Sequence, residues 1–303
     1  GEKYAPRIGV LQQLIEELAR ANSPLSTSYR LAAVITDDAD DEWDDAWREA
    51  QLWDVRAPIN GTVVAANEQL CQTVADITFR IPSRPWRKMR PEEGESQKAF
   101  IARKAVAKKQ YEKKILAVLE QQGVDLLISD SYMNLFGPTI LKELKKQAST
   151  HGIINLHLGI ADPASPAHLP GPTPTRDAYT RARYGWVIAD NRHALTQPAE
   201  RHISVIFEEQ RYQAIAVPEG ARWQHGVTAH VVTEEVDAGP VISSDTFDLR
   251  EIFKHKPITL EGIRQEAIKR KRELLPATLV KLIPLAQQKA HQQHQPIVGE
   301  AHG

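Results

Sequence analysis

A single cysteine, Cys71, in 303 residues excludes an internal disulfide framework and suits a reducing compartment. Long apolar runs are missing too. The longest stretch toward the end, Leu274 to Ala286, is broken by Lys281, Pro276 and Pro284 and is too short to span a bilayer. The first residues, Gly1-Glu-Lys-Tyr-Ala-Pro-Arg7, hold no apolar signal core, so nothing in them argues for export. Charge of one sign is also lacking. With 38 Lys and Arg against 39 Asp and Glu the formal net charge is -1, and no strong field favours nucleic acid or an anionic membrane. These absences make a soluble cytoplasmic protein the expectation. What remains is long enough to bury a sizeable core in one large domain or two small ones.

The apolar residues of the first segment, Val10, Leu11, Leu14, Ile15 and Leu18, predict an amphipathic helix over Gly9 to Ala21. Tyr29 to Thr36 reads as a buried strand, and the acidic run Asp37 to Asp45 as the opening of a helix, where carboxylates meet the positive end of the dipole. Residues 80–96 form a proline-rich basic loop, followed by a helix from Ser96 to Gln122 that Gly123 ends. Val124 to Ser129 and Gly152 to Leu158 predict strands, with a helix over Pro138 to Gln147 between them. Ile203 to Phe207 and Val227 to Thr233 predict two more strands, as an antiparallel extension. Leu260 to Leu282 is a last helix, kinked and stopped by Pro276 and Pro284. The alternation points to an α/β fold, a mostly parallel, Rossmann-like central sheet flanked by helices. It fills one domain over residues 1–286, and the polar tail 287–303 reads as disordered. There is no internal repeat.

Two segments carry chemistry. Ile153-Ile-Asn-Leu-His-Leu158 places Asn155 and His157 two residues apart near a strand end, so both side chains leave the same face. In an open parallel sheet that end is where ligands bind. Some eighty residues later, Gly226-Val-Thr-Ala-His-Val-Val-Thr-Glu-Glu-Val-Asp-Ala-Gly-Pro-Val-Ile242 ends a strand in a turn that holds Asp237. Taken singly, an Asn or His at a strand end is usually a capping group, and an Asp before Ala-Gly-Pro a turn former. Taken together, they supply an amide, an imidazole and a carboxylate, each at the end of an apolar run.

The pair of segments resembles the signature of the folate-dependent formyltransferases, above all the small glycinamide ribonucleotide transformylases, over roughly residues 9–283. The resemblance implies the formyltransferase fold, 10-formyltetrahydrofolate as formyl donor, and Asn155, His157 and Asp237 as the catalytic three. The chemistry suits these types. A neutral nitrogen attacks the formyl carbon and leaves an oxyanion, to which Asn155 and a protonated His157 can donate. Asp237 can take the proton of the attacking nitrogen and hold His157 charged. No metal is required. The resemblance further implies a pterin loop at Met133, Asn134, Leu135 and Phe136, with Thr233, Glu234, Glu235 and Val236 as the opposite wall. Thr228 and His230, at i and i+2 on one strand, take supporting positions, although a core histidine at 230 is an equal reading.

The departures bear on the acceptor. Glycinamide ribonucleotide transformylases open with a strand and a Gly-Ser-Gly-type loop that cradles a phosphate at a helix N-terminus, and no such motif precedes the first helix here. Either that strand is absent or it lies upstream. No room is left after Leu282 for the extra barrel domain of methionyl-tRNA formyltransferases. After His157 the chain runs into a long loop, Leu158 to Ala178, with Asp162, His168, Arg176 and Asp177 above the acceptor pocket. That loop and the insertion Ile81-Pro-Ser-Arg-Pro-Trp86 are most similar to the siderophore branch, the N5-hydroxyornithine formyltransferases of the pyoverdine type. The implied acceptor is a small-molecule amine or hydroxylamine. His168, Arg176 and Asp177 are then candidates to hold it, Arg176 or Arg183 pairing with a carboxylate and Asp162, Asp177, Glu234 or Glu235 with an amine.

Three rivals stand beside this reading: a transferase acting on glycinamide ribonucleotide or an amino sugar nucleotide, a formyltetrahydrofolate hydrolase, and an RNA-binding protein. The last rests on Arg84, Arg87, Lys88 and Arg90 around Trp86 and on the lysines of the following helix. The near-zero net charge and the lack of an RNA-binding motif weigh against nucleic acid as a partner.

Overall fold

In the computed structural model the described residues are 5–36, 77–130, 135–146, 152–168, 173–189, 201–207 and 209–293. The first element is helix α1 (Ala5–Ala19), which buries Val10 and Leu14 and half-buries Leu18, one side chain per turn. A short α2 (Pro24–Ser28) is capped by Ser23, whose hydroxyl accepts from Leu25 N–H, and Leu25 joins the same core. The Tyr29 hydroxyl then donates to the Leu279 carbonyl at 3.1 Å and ties this segment to the far end of the chain. Of the expected first strand, Val34–Thr36 (β1) is paired, in parallel with β2 (Thr78–Arg80). The acidic run 37–45 lies outside the described residues.

The basic loop contains one helical turn, α3 (Arg84–Arg87). The long helix α4 (Gln97–Gln121) starts where the Ser96 hydroxyl accepts from Ala99 N–H, and it ends before Gly123 at φ 60°. Its buried stripe Tyr111, Ile115 and Leu119 packs on α5 (Pro138–Lys146) through Ile140, Leu141 and Leu144. Between those helices runs β3 (Leu127–Asp130), parallel to β4 (Ile153–His157).

Next come α6 (Pro174–Tyr184), stopped by Gly185 at φ 79°, and β5 (Trp186–Ile188). Strands β6 (His202–Phe207) and β7 (Gln210–Ala216) complete a three-stranded antiparallel sheet in the order β5-β7-β6. After the turn α7 (Glu219–Arg222), β8 (Gln224–Val231) and β9 (Val241–Asp248) join β3 and β4 in a four-stranded sheet of order β3-β4-β8-β9. One turn, α8 (Leu249–Ile252), leads to the last helix, α9 (Leu260–Gln293). It packs Leu274, Leu275, Leu279 and Leu282 against α1 and the β4–β8 face formed by Ile154, Leu156, Val227 and Ala229.

The α/β class stands, and among the described strands the sheet is mixed: β4 has a parallel neighbour on one side and antiparallel β8 on the other. Strands β2, β5, β7 and β9 were not expected. Gln210-Arg-Tyr-Gln-Ala-Ile-Ala216 and Val241-Ile-Ser-Ser-Asp-Thr-Phe-Asp248 carry too few apolar residues to announce a strand, and their partners hold them. The expected stop in the last helix is corrected. Both Pro276 and Pro284 lie inside α9, which continues to Gln293, because the apolar stripe against α1 and β8 outweighs two missing N–H bonds.

Candidate functional site

The register of β4 against β8 builds the site. Asn155 faces His230 and His157 faces Thr228, so the four side chains share one face of the strand pair. On the opposite face, Ile154 and Leu156 are anchored in the core, which fixes the strand and hence the direction of Asn155 and His157. Beyond β8 the chain turns back at once: Val231 N–H donates to the Pro240 carbonyl at 2.9 Å, and the Thr233 hydroxyl to the Glu235 carbonyl at 2.9 Å. Gly239 is obligatory in this turn, since a Cβ there would lie 1.7 Å from the Val231 oxygen. Asp237 takes a left-handed conformation, φ 52°, which aspartate tolerates better than most residues.

That turn delivers the Asp237 carboxylate between two imidazoles. One oxygen lies 3.7 Å from His157 Nδ1 and the other 3.5 Å from His230 Nε2. The two rings meet edge to face, 6.3 Å between centroids. All three groups are withdrawn from solvent, with side-chain exposures of 7% for His157, 2% for His230 and 10% for Asp237. His230 Nδ1 sits 3.1 Å from the Val231 carbonyl, and a carbonyl only accepts, so that nitrogen carries a proton. In the neutral ring Nε2 therefore accepts from the Asn155 amide, 3.2 Å away. Protonation would turn Nε2 into a donor toward Asp237. The arrangement sets one carboxylate against two rings, beside an amide donor.

The loop leaving His157 is fastened to β8. The Thr228 hydroxyl donates to the Gly159 carbonyl at 2.7 Å and accepts from Ala161 N–H at 3.2 Å. Gly159 marks a close approach: a Cβ there would stand 2.7 Å from His157 Nε2 and 2.8 Å from Cβ of Pro174, the first residue of α6. The first turn of α6 thus lies beside the His157 ring.

The remaining expected positions divide. Met133 and Asn134 lie outside the described residues. Leu135 is exposed, Phe136 packs against the Tyr111–Ile140 core, and Gly137 N–H donates to the buried Glu112 carboxylate at 2.6 Å. Glu234 and Glu235 are exposed at the turn, with Thr233 and Val236 half-buried beside them. His168 ends the loop after His157, its N–H donating to the Ser165 carbonyl. Arg176 and Asp177 occupy the first turn of α6. The Arg176 guanidinium donates to the Thr173 hydroxyl at 2.8 Å, and the Thr173 hydroxyl donates to the buried Asp177 carboxylate at 3.2 Å. Arg183 is exposed and lies over the Tyr184 ring.

Sequence reading missed several buried polar groups, Arg181, His225 and Lys271 among them. Arg181, fully buried, donates to the Ala167 carbonyl at 3.1 Å and to the Gln224 carbonyl. Burial lowers its pKa to about 10 against the opposing pull of Asp177, so it stays charged at neutrality. His225 is fully buried edge-on to Phe247, and burial, then Arg181 and His157, push its pKa down to about 3. Lys271 of α9 pairs with Asp130 at the end of β3. The one available signal was the spacing Asp177-x-x-x-Arg181 on a helix. Among the described residues no cluster of three His, Cys, Asp or Glu is placed to hold a metal ion, and no helix is long and apolar enough to cross a membrane.

No family model and no curated protein matches the chain. Solved structures do. PvdF of pyoverdin biosynthesis, described as a structurally unique N10-formyltetrahydrofolate-dependent formyltransferase, is 21% identical with a TM-score of 0.57, over 91% of this chain and 87% of that one. A phosphoribosylglycinamide formyltransferase from Bacillus halodurans is 18% identical, with a TM-score of 0.48 over 91% of each chain. Glycinamide ribonucleotide transformylase 1 from Symbiobacterium toebii is 19% identical, with a TM-score of 0.49 over 93% of this chain and 84% of that one. The likeness to PvdF extends over nearly the whole of both chains, and the protein described here has the formyltransferase fold.

Proposed function

We propose that this protein is a folate-dependent formyltransferase that moves the formyl group of 10-formyltetrahydrofolate to a nitrogen of a small molecule, N5-hydroxyornithine. The observation that carries the reading is the Asp237 carboxylate held between His157 and His230 beside the Asn155 amide. The acceptor nitrogen attacks the formyl carbon and a tetrahedral oxyanion forms. Asn155 and protonated His157 donate to that oxygen, each such donor contributing on the order of a hundredfold in rate. Asp237 takes the proton from the attacking nitrogen. The bond from carbon to the folate nitrogen then breaks, a proton passes to that nitrogen, and tetrahydrofolate leaves with a formylated acceptor. With a hydroxylamine acceptor the product is a formyl hydroxamate.

Support for the folate side comes from the fold shared with PvdF, and from the turn Thr233–Asp237, which ends in the carboxylate held between the two imidazoles. Support for a hydroxylamine acceptor comes from the long loop that follows His157 and from the pyoverdin pathway in which PvdF acts. The test follows tetrahydrofolate release by absorbance with 10-formyltetrahydrofolate and, in turn, hydroxyornithine, ornithine, glycinamide ribonucleotide, an amino sugar nucleotide and water alone. Release with hydroxyornithine is expected. Release with a phosphorylated acceptor alone moves the acceptor, release in water alone makes the protein a hydrolase, and no release in a folded protein sinks the reading.

A further inference from the structure

We propose that Arg181 is a positioning residue that straps the loop after His157 along β8, where the loop begins against the His157 ring, so that the formyl group passes to the acceptor and not to water. The inference rests on the transfer reading above.

Loop 158–168 is fixed at both ends to a single strand, β8. At the near end, Thr228 holds Gly159 and Ala161 by side-chain hydrogen bonds. At the far end, Arg181 joins the Ala167 carbonyl to the carbonyl of Gln224, the first residue of β8. The two anchor points on β8 are four residues apart, about 13 Å at the rise of a strand. Between them the loop turns on its own side chains: Ala164 N–H donates to Asp162 and Ala167 N–H to the Ser165 hydroxyl. The same strand carries His230, so the loop and the ring beside Asp237 keep one frame of reference.

Two physical points favour a positioning role over a merely stabilising one. A buried cation seldom adds net stability, because its desolvation offsets what its partners return. An apolar side chain would fill the space between α6 and β8 at less cost, but it could not hold a loop carbonyl. The planar guanidinium also grips two carbonyls from different segments at once, which a lysine ammonium, a compact charge on a flexible stem, does less well. Asp177, buried one turn earlier on α6, favours the charged form of Arg181 and completes the strap.

The consequence is a partition. With the loop loosened, water reaches the formyl carbon. Its oxygen bonds to that carbon, the carbon–N10 bond breaks, and a proton goes to N10, leaving formate and tetrahydrofolate. The experiment compares the full-length wild type with Arg181→Lys and Arg181→Met, using 10-formyltetrahydrofolate and hydroxyornithine. It reads formate against formylated product, KM for each substrate, and amide hydrogen exchange of residues 160–167. The expected result is a KM for the folate within about twofold, an acceptor kcat/KM lower by about tenfold or more, and a rising share of formate. Exchange should speed up in that loop alone, with Lys milder than Met. If Arg181→Met does not fold, Arg181→Lys decides. Wild-type partition and wild-type loop exchange in a folded variant overturn the strap, as does a uniform loss of stability without a change in partition. A wild type that transfers no formyl group overturns the transfer reading itself, and the strap with it.

Discussion

Asp237 is a residue whose chemistry can be removed without disturbing its backbone. Asparagine also tolerates a φ of 52°, so Asp237→Asn exchanges the carboxylate for an amide at little conformational cost. Its kcat should fall by about a hundredfold or more with an unchanged circular dichroism spectrum, and Asn155→Ala should fall by a similar factor. Near-normal turnover in either folded variant would remove the mechanism. Gly159→Ala tests geometry instead of chemistry. Its new methyl would sit 2.7 Å from His157 Nε2, with Pro174 closing the other side, so the imidazole must shift. The expected loss is about a hundredfold in kcat, measured beside a thermal melt that moves little. His225 sets an acid limit on stability. Its folded pKa is pushed down to about 3 from an ordinary 6.5, so above pH 6.5 it is neutral in both states and costs nothing. Below that, the unfolded chain takes up a proton that the folded chain refuses, and stability falls as pH drops toward 3. At pH 5 the penalty is about 2 kcal/mol, and urea unfolding of His225→Phe at pH 7 and pH 5 should show it removed.

At the scale of elements, the β8–β9 hairpin is held by Gly239. Any Cβ at that position collides with the Val231 carbonyl at 1.7 Å, and the colliding atom is backbone that cannot swing away. Gly239→Ala should therefore destabilise by about 3 kcal/mol or more in urea unfolding, and it should lower activity because the turn places Asp237. A variant as stable as the wild type would show that the turn can open without consequence. The hairpin also shows how far the sequence speaks. Its first strand is legible from its β-formers Val227, Thr228, Val231 and Val232, and the Asp-Ala-Gly-Pro turn from its residue types. Its second strand buries only Ser243 and Phe247 deeply, too sparse a pattern to read without knowing the partner. The catalytic candidates were visible because each ends a readable apolar run. Arg181 was not, since nothing in Arg-Ala-Arg-Tyr distinguishes a buried arginine from a solvated one until the loop it holds is placed.

Across the whole molecule, α9 joins parts that are distant in sequence. It packs on α1 and on the back of β4 and β8, and through Lys271 it reaches Asp130 at the end of β3. The Lys271 side chain is only 2% exposed, so Lys271→Met leaves a carboxylate facing an apolar replacement. A loss on the order of 3 kcal/mol is expected in equilibrium unfolding. A change below about 1 kcal/mol would mean that water already solvates the pair. The α/β class followed from helices and strands alternating over the first half of the chain, and the antiparallel place of Val227–Thr233 was expected too. That Ile203–Phe207 joins a separate three-stranded sheet was not, because the partner a strand takes leaves no mark on its own residues.

The two prolines within α9 carry a kinetic consequence. Neither ring nitrogen bears a proton, so the Arg272 and Val280 carbonyls, four residues earlier, receive no helical N–H from them. The helix is thereby scored at two places. The turns around Leu275, Leu279 and Leu282 are locked by core side chains. In deuterium the backbone amides of this one helix should lose their protons on two separate clocks, those next to the two prolines before those around Leu275 and Leu279.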